Sequence, residues 1–225
     1  MRKLLYVLCL FPNVVFAQEL KPGIVYMHGA VVRENPDRAE RAGYDVDALV
    51  QSFEKLGYVT IAPIRETPAG PDNGDEAIKE GIELSRKAAK ELRSRSDVDP
   101  NRICLVGFSE GALISMWALA LHDDYNSAVI MSSGAKCGIR KKRGSSKTMC
   151  SRHLIRSGKI HDITEPLVFT VGKNEHDGRP ARQPQRPSIR FSEETDSPLI
   201  WLEGDHRDFI YPRTDIEKIV RKQCR

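Results

Sequence analysis

Short, continuously apolar runs recur along this chain of 225 residues, and stretches with helical periodicity separate them. Ile24-Val25-Tyr26-Met27 is the first run; Tyr58 to Ala62, Ile103 to Val106, Ala128 to Ser132, Leu167 to Val171 and Leu199 to Leu202 follow. Between them, Val46, Leu49, Val50, Phe53 and Leu56 recur at steps of three and four, and Gly57 stops that helix. A longer helix runs from about Asp75 to Arg95. It has Ile78, Ile82, Ser85, Ala89 and Leu92 on one side and Glu76, Lys79, Glu83, Lys87 and Lys90 facing water. Gly111 to Leu121 is apolar nearly all round, the pattern of a buried helix, and Thr214 to Lys222 is amphipathic. Strands apolar on both faces and separated by helices require a sheet covered on both sides. The expected fold is therefore α/β, a three-layer α/β/α sandwich with a mostly parallel sheet. Two segments break the rhythm. Cys137 to Thr164, long and basic, reads as a small cap or insert, and Gly178 to Pro198, rich in Arg, Pro and Ser, reads as a loop.

Residues 1–17 stand apart from this pattern. Arg2 and Lys3 precede an apolar run from Leu4 to Leu10, and Val15-Phe16-Ala17 suits signal-peptidase cleavage after Ala17. A membrane anchor needs roughly 18 or more apolar residues, and Pro12 and Asn13 come too early for that. The expectation is an exported protein, periplasmic or secreted, with residues 18–225 as one domain and no membrane span. The formal charge of +4 falls by two when Arg2 and Lys3 leave, so charge does not point to nucleic acid. Arg140, Lys141, Lys142, Arg143 and Lys147 lack interleaved aromatics and read as a solvated loop, with attraction of an anionic substrate or surface as the alternative.

Of the five cysteines, Cys9 leaves with the signal. Cys137 and Cys150 bracket a short basic loop and are the expected disulfide. Cys104, inside a predicted central strand, fits a buried free thiol equally well, and Cys104 or Cys224 could instead compete for the pairing. No cysteine or histidine spacing suggests zinc or a redox dithiol.

The sharpest chemical signal is Gly107-Phe108-Ser109-Glu110-Gly111, a G-x-S-x-G between an apolar strand and a helix. A strand that turns abruptly into a helix strains the serine and crowds its neighbours, so the flanking positions need glycine. The serine oxygen is left clear of the sheet, at the positive end of the helix. After the last strand comes Trp201-Leu202-Glu203-Gly204-Asp205-His206. Of the later histidines, His153, His161 and His176 do not follow that strand. Asp205 and Asp208 read as surface charges.

Asp97-Val98-Asp99-Pro100-Asn101-Arg102-Ile103 followed by Gly107-Phe108-Ser109-Glu110-Gly111-Ala112, together with Tyr26-Met27-His28-Gly29-Ala30, resembles the dienelactone-hydrolase-like branch of the α/β-hydrolases. The resemblance covers the chain from about Pro22 to the final helix. It departs in lacking opening strands ahead of the His-Gly strand and in carrying the basic Cys137 to Cys150 insert. It implies a Ser109 nucleophile, a His206 base in a Gly-x-His, and an oxyanion hole from the backbone N–H groups of Ala30 and Glu110. His28 would orient the oxyanion loop. The triad acid belongs after the penultimate strand. Gly172-Lys173-Asn174-Glu175 matches the family's Gly-x-x-acid with Glu in place of Asp, and Asp177 is the alternative. The implied activity is hydrolysis of a small-molecule acyl ester, or an amide, without cofactor or metal. An acyltransferase with the same triad and a non-catalytic binding protein on this fold are the alternatives.

Overall fold

The computed structural model describes residues 19–67, 74–134, 149–174 and 185–225. Residues 1–18 with the expected signal segment, Cys137, the basic cluster, Glu175, His176 and Asp177 lie outside the described residues.

Six strands form one sheet among the described residues: β1 (Lys21–Met27), β2 (Val59–Ile61), β3 (Val98–Phe108), β4 (Ser127–Met131), β5 (Leu167–Gly172) and β6 (Leu199–Leu202). Their order is β2-β1-β3-β4-β5-β6 and every neighbouring pair is parallel. β1 has β2 on one side and β3 on the other, so successive crossovers leave it in opposite directions. In open parallel sheets the crevice beyond the strand ends at such a switch point is where sites form. Here it lies beyond Met27 and Phe108.

Alternation along β1 separates two cores. Val25 and Met27 belong to one with Ile78, Ile82 and Leu92 of α4 (Gly74–Ser94) and Leu113 and Ile114 of α5 (Glu110–Leu121). Ile24 and Tyr26 belong to the other with Leu49 and Phe53 of α3 (Val46–Lys55) and Ile216 and Val220 of α8 (Thr214–Gln223). Two short helices, α1 (Ala30–Glu34) and α2 (Pro36–Arg41), follow β1. The three-layer α/β sandwich stands as expected, and α5 is buried from Glu110 to Ala120. Asp45 accepts the Ala48 N–H at 2.9 Å to start α3, and Gly57, at φ 95°, ends it.

Three readings change. β3 begins at Val98, not Ile103, because residues 99–102 bulge between the Lys21–Val98 and Gly23–Ile103 pairings. Residues 149–164, the described part of the segment read as a small cap or insert, are anchored in the core. α6 (Ser151–Arg156) and a 3-10 turn (Lys159–Asp162) place Leu154 and Ile160 at 0 % exposure in the α4–α5 core, while their basic residues stay outside. The predicted loop over Gly178 to Pro198 contains α7 (Gln185–Glu194), with Phe191 fully buried. Pro187 falls in its first turn as described, where a missing N–H costs nothing.

Cys104 is not a free thiol. It is bonded to Cys224, which ties β3 to the end of α8 across 120 positions of sequence. Cross-linking a loop that long stabilises by about 4–5 kcal/mol in the chain-entropy model. Cys150 is also disulfide-bonded; Cys137 lies outside the described residues. Among the described residues no helix is long and apolar enough to cross a membrane.

Candidate active site

Ser109 stands between β3 and α5 at φ 56° and ψ −111°, a backbone region that side chains rarely enter. Buried hydrogen bonds hold it there. The Ser109 N–H donates to Met131 O at 3.0 Å, and its carbonyl accepts the N–H of Gly134 at 2.8 Å. The glycines on either side are required by contact. A Cβ on Gly111 would strike Met27 O and stand 2.7 Å from His28 O, both backbone atoms at the end of β1. One on Gly107 would meet the Ser115 hydroxyl and stand 2.6 Å from Gly111 O.

His206 comes to the same place from the other side of the sheet. Its Nε2 is 3.0 Å from Ser109 Oγ, and the Phe108 ring centroid is 4.8 Å from the imidazole. Asp205 and Asp208 are more than surface charges. The 3-10 turn His206–Ile210 begins with a reciprocal cap, in which the Asp205 carboxylate accepts the Arg207 N–H and Asp208 accepts the Asp205 N–H, each at 2.6 Å. Gly204, at φ 104°, makes the bend before it.

The other imidazole nitrogen has a partner that the sequence did not announce. His206 Nδ1 lies 2.6 Å from the hydroxyl of Ser132, a fully buried residue just past β4 at φ 48°. Beside it, the turn after β5 is stitched to the strand end that leads into His206. Lys173 N–H donates to Leu202 O at 2.8 Å, and Asn174 N–H to Gly204 O at 3.0 Å. Glu175 follows Asn174 in sequence; it and Asp177 lie outside the described residues.

Ala30 and Glu110 are the first residues of α1 and α5. Their N–H groups therefore have no acceptor within their own helices, the property that makes a helix start an anion site. Beneath them is a buried polar cluster. Arg65 Nη1 donates to Glu110 Oε2 at 2.6 Å; Arg65 Nη2 donates to His28 O at 2.6 Å and to Gly29 O at 3.3 Å. Both members of the ion pair have fully buried side chains. Arg33, on α1, reaches Glu110 at 3.4 Å. His28 Nδ1 lies 2.8 Å from Gly29 O. Burial, reinforced by the Arg65 charge, lowers the His28 pKa to about 4, so this imidazole is neutral at neutral pH. Burial lowers the Arg65 pKa too, opposed by Glu110. The Gly29 N–H donates to the Tyr44 hydroxyl at 2.9 Å, itself bonded to Tyr26. Burial raises the Tyr44 pKa to about 12, so the phenol stays protonated.

Arg65, Ser132 and the Glu110 side chain are the site neighbours that sequence reasoning missed. One signal was present: a lone carboxylate in the first turn of an otherwise apolar buried helix needs a countercharge. Among the described residues no group of three or more His, Cys, Asp and Glu is placed to hold a metal ion.

No protein-family model matches the sequence, and no curated protein does. Solved structures do. An acylaminoacyl peptidase of Pyrococcus horikoshii superposes with a TM-score of 0.62 at 15% identity, over 92% of this chain and 38% of that one. This chain thus spans well under half the length of that peptidase. An esterase of Pyrococcus furiosus gives a TM-score of 0.59 at 16% identity, over 92% of this chain and 84% of that one. A candidate dienelactone hydrolase from Klebsiella pneumoniae gives 0.54 at 14% identity, over 92% and 86%. Parallel strand order, elbow and likeness agree: this chain has the α/β-hydrolase fold.

Proposed function

We propose that this protein is an exported serine hydrolase that cleaves a small-molecule acyl ester, or an amide, through an acyl-enzyme on Ser109. The observation that carries the reading is the 3.0 Å approach of His206 Nε2 to Ser109 Oγ on a strained elbow. In the proposed reaction Ser109 Oγ attacks the acyl carbon while His206 Nε2 takes its proton. The carbonyl electron pair moves onto oxygen, where the Ala30 and Glu110 N–H groups stabilise it. The tetrahedral intermediate then expels the alcohol or amine, which receives the proton held by His206. Water repeats the sequence and releases the acid. With Nε2 accepting, Nδ1 carries the imidazole hydrogen and donates toward Ser132 and the triad carboxylate, for which Glu175 and Asp177 are the candidates.

The buried Cys104–Cys224 bond suits an oxidising compartment and supports export, as does the cleavable-looking start of the chain. Pairing of Cys137 with Cys150 belongs to the same reading. Turnover of a panel of chromogenic acyl esters by wild type, H206A, E175Q and D177N tests it, with product analysis to separate hydrolysis from acyl transfer. H206A should lose several orders of magnitude in kcat. One of the two carboxylate variants should lose about 10⁴-fold, as a mis-set tautomer does, and the other little. Full activity in H206A would remove the mechanism.

A further inference from the structure

The geometry points to Arg65 as the positioning residue of the oxyanion hole: a single guanidinium that aims the Ala30 donor, braces the side chain of the residue carrying the second donor, and cancels the charge of that carboxylate. This rests on the proposed hydrolase reading. The Ala30 N–H and the Gly29 carbonyl belong to one planar trans peptide, so whatever holds the carbonyl fixes the direction of the N–H opposite it. Gly29 O is held by Arg65 Nη2 at 3.3 Å, with His28 Nδ1 beside it at 2.8 Å. The preceding carbonyl, His28 O, is held by the same nitrogen at 2.6 Å. Through its other terminal nitrogen Arg65 grips Glu110 Oε2 at 2.6 Å, and Glu110 is the residue whose N–H forms the second donor. The two donors sit on separate elements, α1 and α5, and Arg65 arrives from a third, the segment after β2. It therefore spans the gap between them. Arg33, three residues past Ala30 on α1, adds a second, longer bridge to Glu110.

Charge makes the same point. Glu110 is fully buried next to the nucleophile, where an unbalanced carboxylate would oppose the negative oxygen formed in the reaction. Replacing a buried ion pair by apolar residues is often neutral or stabilising, so stability alone does not account for this one. A planar fork reaching one carboxylate and two carbonyls is a task that lysine's single ammonium cannot reproduce.

The test is steady-state kinetics of R65K on a chromogenic ester, with inhibition by a trifluoromethyl ketone as a probe of the tetrahedral state. A lost oxyanion donor costs about 10²–10³-fold in kcat. R65K should therefore lower kcat by about 10²-fold and leave KM within about twofold. The ketone's Ki should rise by the factor by which kcat/KM falls. A merely structural role would lower the melting temperature without coupling Ki to kcat. If R65K does not fold, R65Q/E110Q removes both charges of the pair, leaves Arg33 its ion pair with Glu34 at 2.9 Å, and carries the same expectation. Unchanged kcat and Ki in a folded variant, beside active wild type, would overturn the inference alone. A wild type with no turnover that S109A abolishes would overturn the hydrolase reading and this inference with it.

Discussion

Ser109 and His206 meet at 3.0 Å, but the molecule holds them by opposite means. The serine elbow is fixed by buried backbone: hydrogen bonds to Met131 and Gly134, and a glycine pressed against the carbonyls that end β1. The histidine turn sits nearer the surface and is fixed by side chains: the Asp205–Asp208 cap, the Phe108 ring and the Ser132 hydroxyl. Backbone packed on backbone cannot yield, whereas a carboxylate cap on a short turn can be lost and partly replaced by water. The elbow should therefore fail by unfolding and the turn by mispositioning.

Gly111→Ala tests the rigid side and carries the largest expected effect on stability. The added methyl group meets the main-chain oxygens of Met27 and His28, where β1 ends, so α5 or β1 must shift. The expected loss is about 3 kcal/mol or more, seen by calorimetry as a fall of roughly ten degrees in Tm. An unchanged Tm would show that the elbow is not held as described.

The floor of the site adds a pH signature. The His28 pKa of about 4 lies below the ordinary 6.5, so on acidification the unfolded chain takes up the proton first. Stability is complete above about pH 6.5 and is lost progressively down to about pH 4, by on the order of 3 kcal/mol. Urea denaturation of wild type and H28Q at pH 7 and pH 4.5 measures this. The acid loss should be smaller in H28Q, and equal losses would contradict the neutral, buried imidazole.

Asp208→Ala probes the adjustable side, with the smallest expected change. Losing half the cap costs about 1 kcal/mol. kcat should fall about tenfold as His206 samples other positions, while Tm moves by only a few degrees. A large stability loss without a kinetic one would reverse the contrast between turn and elbow.

The same contrast explains what could be read in advance. The strand cores and the elbow were legible because both obey rules of spacing: apolar continuity for buried parallel strands, and glycines where backbones touch. α6 and α7 were not, because Arg, Pro and Ser outnumber Leu154 and Phe191, the fully buried hydrophobic side chains that anchor them. Arg65 lies in a short stretch without periodicity, and only the fold brings it under Glu110. Ser132 looked like a strand end, and nothing local says that it faces His206 across 74 positions of sequence. Asp205 and Asp208 were visible as charges but not as a cap, since the 3-10 turn they start has no apolar stripe.

If Ser109 is a nucleophile activated by His206, a fluorophosphonate should form its adduct there. Wild-type protein is labelled, digested and mapped by mass spectrometry beside S109A and H206A. The expected result is one adduct, on Ser109, absent from S109A and formed at least about 10²-fold more slowly in H206A. An adduct on another residue, or ester turnover that survives in S109A, would contradict the account.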